Sequence, residues 1–161
     1  MSKTTSLSKF DLTLLQLLSQ NGRAPVRRIA NLMRASEATV RYHLTKLEQD
    51  GVIQGYSVIV DSSKLGLPIY VTVGIQCEPA HTKRVAKAIA ESPYFYLVWI
   101  VTGAHNIHAK GMFRSAEEMQ EVVGEVMSQT EGVLSYHLSL MFNKVKDPYL
   151  LPSDIIKASQ E

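Results

Sequence analysis

Apolar positions recur at helical spacing in the first fifty residues and mostly at strand spacing in the stretches that follow. Phe10, Leu14, Leu15 and Leu18 fall on one stripe and predict a helix over about residues 9 to 20. Ser8 and Asp11 have the spacing of a capping box, and Leu7 and Leu12 that of its hydrophobic staple. Asn21-Gly22 tolerates the left-handed backbone that ends helices. Pro25 suits the first turn of a second helix, where its missing N–H costs nothing; Val26, Ile29, Ala30 and Met33 follow on one face. Ser36 is expected to cap a third helix with Val40, Leu44 and Leu47 inward and Gly51 at its end. Two short helices joined by a tight turn form a helix-turn-helix pattern, and Val52 to Val60 reads as β structure, as in a winged module.

The remaining chain changes period. Ile69 to Cys77 alternates β-branched and other residues and reads as a strand. A helical stretch from Pro79 to Glu91 follows, with Val85 and Ile89 inward. Tyr94 to Thr102 and Ile107 to Phe113 are predicted strands around a Gly103-Ala104-His105-Asn106 turn. Ser115 and Glu118 read as a capping box for a helix with Met119, Val122, Val123, Val126 and Met127 on its core stripe; Val133 to Asn143 is the last strand. This β-α-β-β-α-β order implies an α+β chain with a ferredoxin-like second module, both helices covering one face of the sheet. Tyr70, Tyr96, Trp99, Met112 and Phe142 would then leave an apolar sheet face wet unless a second copy covers it, so a homodimer is expected.

With 45% hydrophobic and 20% charged residues in a chain of 161, the composition is that of a folded globular protein rather than a disordered one. The single Cys77 forms no internal disulfide and completes no zinc-ligand set, which points to a reducing, cytoplasmic setting. A polar start and the lack of a long apolar run argue against secretion and membrane insertion. The net charge of +2 hides an asymmetry: residues 1 to 60 carry eight Lys+Arg against four acids, and the rest nine against eleven. Six of those basic groups, with Glu37 as the one acid, lie between Arg23 and Lys46, across the helix-turn-helix.

That placement points to double-stranded DNA. Opposite the core positions of the third helix stand Ala38, Tyr42 and Thr45, with Arg41 and Lys46 flanking. Arg41 can donate two hydrogen bonds to a guanine edge; Tyr42 and Thr45 can make a polar contact or pack on a thymine methyl. Ser36, with Thr39 and the exposed N–H groups after it, suits a phosphate, as do Arg27, Arg28, Arg34 and Lys46.

Ile29-Ala30, Ser36-Glu37-Ala38-Thr39-Val40, Leu44-Thr45-Lys46-Leu47-Glu48, Gly51-Val52-Ile53, Gly55-Tyr56 and Asp61…Lys64-Leu65-Gly66 together resemble the Lrp/AsnC (feast/famine) transcriptional regulators. Where many members carry two adjacent arginines, this chain has Tyr42-His43. The resemblance implies a winged helix-turn-helix domain at 1–60, a hinge at 61–68, an effector-binding and oligomerisation domain at 69–146 and a tail at 147–161. It also implies assembly beyond the dimer and an amino-acid or other small-molecule effector at Gly103, Ala104, His105 and Asn106, although this loop lacks the family's frequent Asp. The apolar tail is expected to pack on the module or on a neighbouring subunit. No catalytic or cofactor fingerprint occurs, no cofactor is expected, and His81, His105, His108 and His137 are read as surface or sheet-face residues. Two alternatives stay open: a siroheme decarboxylase-like enzyme, for which Arg84 and Arg114 are the available arginines, and a sensing protein with a vestigial DNA-binding half.

Overall fold

The computed structural model describes residues 6–143 and 145. The chain divides between Val58 and Ile59 into two compact units, each with its own core. The expected tail at 147–161 lies outside the described residues.

The first unit contains helices α1 (Lys9–Gln20), α2 (Val26–Met33) and α3 (Glu37–Gln49). The capping box is complete: the Ser8 hydroxyl accepts the Asp11 N–H at 3.1 Å, and the Asp11 carboxylate accepts the Ser8 N–H at 2.9 Å. Leu14, Ile29, Ala30, Val40 and Leu47 form the buried centre, with Leu18, Met33 and Leu44 packed around it. Each fully buried aliphatic side chain contributes about 1.5–3 kcal/mol relative to exposure, which is what holds three short helices together. Two helix ends differ from expectation. Asn21 ends α1 in an extended conformation (φ −150°), its N–H bonded to the Leu17 carbonyl, so no left-handed residue is needed there. Pro25 precedes the first turn of α2 as its N-cap residue.

Val52 to Val60 carries no strand, contrary to the predicted β structure. Val58 is 81% exposed, and this segment has no ladder partner among the described residues, so β propensity alone does not make it a strand. Beyond it, Asp61 caps a single 3₁₀ turn (Ser62–Leu65) that Gly66 ends at φ +78°.

The second unit is a four-stranded antiparallel sheet of β1 (Ile69–Cys77), β2 (Phe95–Ile100), β3 (Ile107–Phe113) and β4 (Val133–Leu140), in the order β2-β3-β1-β4. Helices α4 (Thr82–Ala90) and α5 (Ala116–Gln129) cover one face. Val71, Val73, Ile75 and Cys77 of β1 join Ile107, Ala109 and Phe113 of β3 beneath Val85, Ile89, Met119, Val123 and Met127. This is the predicted ferredoxin-like βαββαβ arrangement, and Cys77 is a packing residue in it. The outer strands are shorter than predicted: β2 runs from Phe95 to Ile100 and β4 ends at Leu140, with single main-chain bonds beyond them from Val101 to Asn106 and from Met141 to Tyr70. The Ser115–Glu118 box is half formed: Ser115 accepts the Glu118 N–H at 3.2 Å, but the Glu118 carboxylate takes the Arg114 N–H at 2.6 Å.

Candidate functional site

Helix α3 is built to show one face. Val40 and Leu47 are buried, which turns Ala38, Arg41, Tyr42, Thr45 and Lys46 outward; all five are exposed. At its start the Ser36 hydroxyl accepts the Thr39 N–H at 3.0 Å and lies 2.8 Å from the Thr39 hydroxyl. Ser36 thus satisfies one of the open amides of the first turn, and the remaining ones point out of the helix end.

Arg41 reaches Glu37, one turn back, at 3.7 Å, with both side chains largely exposed. Such a pair is weak and exchanges readily for a stronger acceptor. Arg27 and Arg28 are exposed on α2. Arg34 ends α2 in the left-handed conformation (φ +51°, ψ 44°), the one non-glycine residue with positive φ among the described residues. Arg27, Arg28, Arg34 and Lys46 make no ion pair among the described residues. The structure therefore brings the predicted DNA-facing residues onto one three-helix unit, exposed and mostly uncommitted.

Sequence reasoning missed what lies behind that face. His43 turns inward from α3, and its Nδ1 lies 2.7 Å from the Asp11 carboxylate on α1. The Phe10 ring packs on the imidazole at a centroid distance of 4.4 Å, and the Tyr42 ring meets it edge-on at 5.5 Å. Burial pushes the Asp11 carboxyl up, but its bonds from the Ser8 hydroxyl, from His43 and from the Ser8 amide outweigh that and hold it below the usual carboxylate value. Past the end of α3, the Tyr56 hydroxyl donates to Glu48 at 2.8 Å; partial burial and this acceptor raise the phenol to about 12.

In the second unit the predicted effector loop is short and held at its end. Gly103 (φ +119°) and Ala104 are exposed. The Asn106 side-chain oxygen accepts the Cys77 N–H at 2.9 Å, and its main chain bonds Ile75 and Val101, so Asn106 fastens the loop to the sheet. His105 folds back over β1, with its Nε2 3.5 Å from Nδ1 of His137 and its ring 5.5 Å from that of His108. On the uncovered face these histidines accompany Tyr70, Thr72, Trp99, Lys110 and Met112. His81 lies apart, 3.3 Å from Glu78. Arg84 and Arg114 pair with Glu131 and Glu118, away from the histidines of the sheet face. Among the described residues no helix is long and apolar enough to cross a membrane, and no group of His, Cys, Asp and Glu is arranged to hold a metal.

Residues 70–151 match the family model described as the Lrp/AsnC ligand binding domain, and residues 7–54 match a winged helix-turn-helix DNA-binding model. The chain belongs to the Lrp/AsnC family. An uncharacterised HTH-type transcriptional regulator of Pyrococcus furiosus is 30% identical over 145 residues, spanning 90% of this chain and 97% of its own length. The HTH-type transcriptional regulator LrpA of Pyrococcus horikoshii is 26% identical, spanning 84% of this chain and 96% of its own. In fold, the chain is similar to a Neisseria meningitidis transcriptional regulator solved with L-Met (TM-score 0.86, 19% identity, 93% of this chain and 99% of that one). It is similar also to Escherichia coli AsnC (TM-score 0.76, 21% identity, 88% of this chain and 94% of that one). As an Lrp/AsnC regulator the protein is a DNA-binding transcriptional regulator, its first unit carrying the helix-turn-helix and its second the ligand-binding fold.

Proposed function

We propose that α3 reads DNA in the major groove through Arg41, Tyr42, Thr45 and Ala38, while Arg27, Arg28, Arg34, Lys46, Thr39 and the Ser36-capped helix start hold phosphates. The observation that carries this reading is the outward face of α3: a hydrogen-bond donor, an aromatic and a hydroxyl at helical spacing, opposite the buried Val40 and Leu47. Residues 1–60 would be the DNA-binding domain, 61–68 a hinge and 69–146 the module for assembly and sensing.

In this reading a second copy covers the open sheet face, where Trp99 is 60% exposed, and the two helix-turn-helix units then address half-sites spaced by whole helical turns. The loop Gly103 to Asn106 borders the effector site. The Neisseria regulator's complex with L-Met makes an amino acid the first ligand to try.

The test is a DNA titration at two salt concentrations, with a duplex selected from a random library by the full-length protein. Phosphate neutralisation predicts that affinity falls steeply with salt, by about tenfold or more between 50 and 200 mM. Failure to enrich any duplex would refute the reading. Mass in solution with and without methionine and other amino acids tests the effector; unchanged mass and DNA affinity throughout would remove it.

A further inference from the structure

Asp11 is buried in α1, yet its carboxylate serves two helices at once. One oxygen accepts the Ser8 N–H and hydroxyl at 2.9 and 2.6 Å and closes the start of α1; the other meets His43 Nδ1 of α3 at 2.7 Å. The imidazole is held from three sides: Asp11 by hydrogen bond, Phe10 by ring packing, and Tyr42 by an edge contact. Asp11 is its one ion-pair partner among the described residues; the nearest cations in sequence on α3 are Arg41, two residues back, and Lys46, three residues on, and both are exposed. Fixing His43 therefore fixes two things that DNA reading needs: the rotation of α3 about its axis, and the direction of the Tyr42 ring.

We propose that Asp11 and His43 are a positioning pair for sequence-specific DNA binding. The proposal rests on α3 being the reading helix. Donation from Nδ1 to the ionised Asp11 carboxylate is charge-assisted, roughly twice as strong as a bond between neutral groups, and it holds the ring in one orientation. Neither residue touches DNA in this scheme; both act through α3 and Tyr42.

The test compares affinity for a duplex selected by the full-length protein with affinity for a scrambled duplex of equal length, at constant ionic strength, for the wild type and for the variants H43A, H43N and D11N. The ratio removes the general pull of a more basic protein on phosphate. H43A is expected to lower the ratio about fivefold, the loss of roughly one net hydrogen bond. H43N keeps a donor near the Nδ1 position and should restore most of the ratio lost in H43A, with normal helical content by circular dichroism in both variants. D11N should lower the ratio and leave scrambled-duplex affinity unchanged. A ratio unchanged in H43A and D11N, no recovery in H43N, or equal loss on both duplexes would overturn the proposal. If no duplex is enriched at all, the reading beneath it fails first.

Discussion

Gly74 lies directly beneath the imidazole of His105: a Cβ built on this glycine would sit 2.8 to 2.9 Å from three of the ring atoms. Its cross-strand partners are His108 and His137, so the missing side chain opens a slot on the uncovered face that the loop histidine fills. Gly74→Ala should unseat His105 and cost about 1–3 kcal/mol, as overpacking does. Chemical denaturation measures the cost, and the imidazole resonances report the ring. A variant as stable as the wild type, with unmoved resonances, would mean that the ring does not rest on the strand.

The helix-turn-helix was legible because its signals are local. Ser8 and Ser36 cap helices within four residues of themselves, and the inward stripes of α1 to α3 each lie within one segment. The β-α-β-β-α-β succession of the second unit followed from strand and helix period. Relations between distant residues were not legible. Asp11 and His43 are 32 positions apart, and so are His105 and His137; nothing in the periodicity of either segment marks the partner. Val58 to Val60 fails for the complementary reason: its β-branched run is a local signal, but a strand needs a ladder that local sequence does not supply.

Arg34 holds a left-handed backbone, which costs an L-residue roughly 1–2 kcal/mol, partly offset in glycine by greater chain entropy. Arg34→Gly should therefore raise stability by up to about 1 kcal/mol, yet weaken binding to selected and scrambled duplexes alike. Denaturant midpoints and DNA titration on the same preparation check both signs. A loss of stability would show that the guanidinium contributes more to the fold than the strain takes away.

Because Asp11 is held below the usual carboxylate value in the folded chain, it contributes stability that is complete above about pH 4 and is lost as pH falls through its folded-state value. Asp11→Asn removes that contribution and half of the capping box. It should cost about 1–3 kcal/mol at pH 7, with the gap to the wild type closing below about pH 4. Thermal unfolding of both proteins at pH 7, 4 and 3 reads this out; a gap constant with pH would assign the cost to packing rather than to charge.

The reading face and the holding residues should separate by their effect on specificity. Arg41 and Tyr42 stand on the outward face of α3, whereas Arg27 and Arg28 lie on α2, where a helix that crosses the backbone offers charge without sequence information. Arg41→Ala is expected to weaken binding to the selected duplex by about 1–3 kcal/mol and to relax preference at one base pair, with a smaller change on scrambled DNA. Tyr42→Ala should act in the same direction. Arg27→Ala or Arg28→Ala should weaken both duplexes alike and lower the salt slope by about one. Equal losses from Arg41→Ala on the two duplexes would place that guanidinium on a phosphate, and the specificity would then have to come from Tyr42, Thr45 and the shape of the DNA.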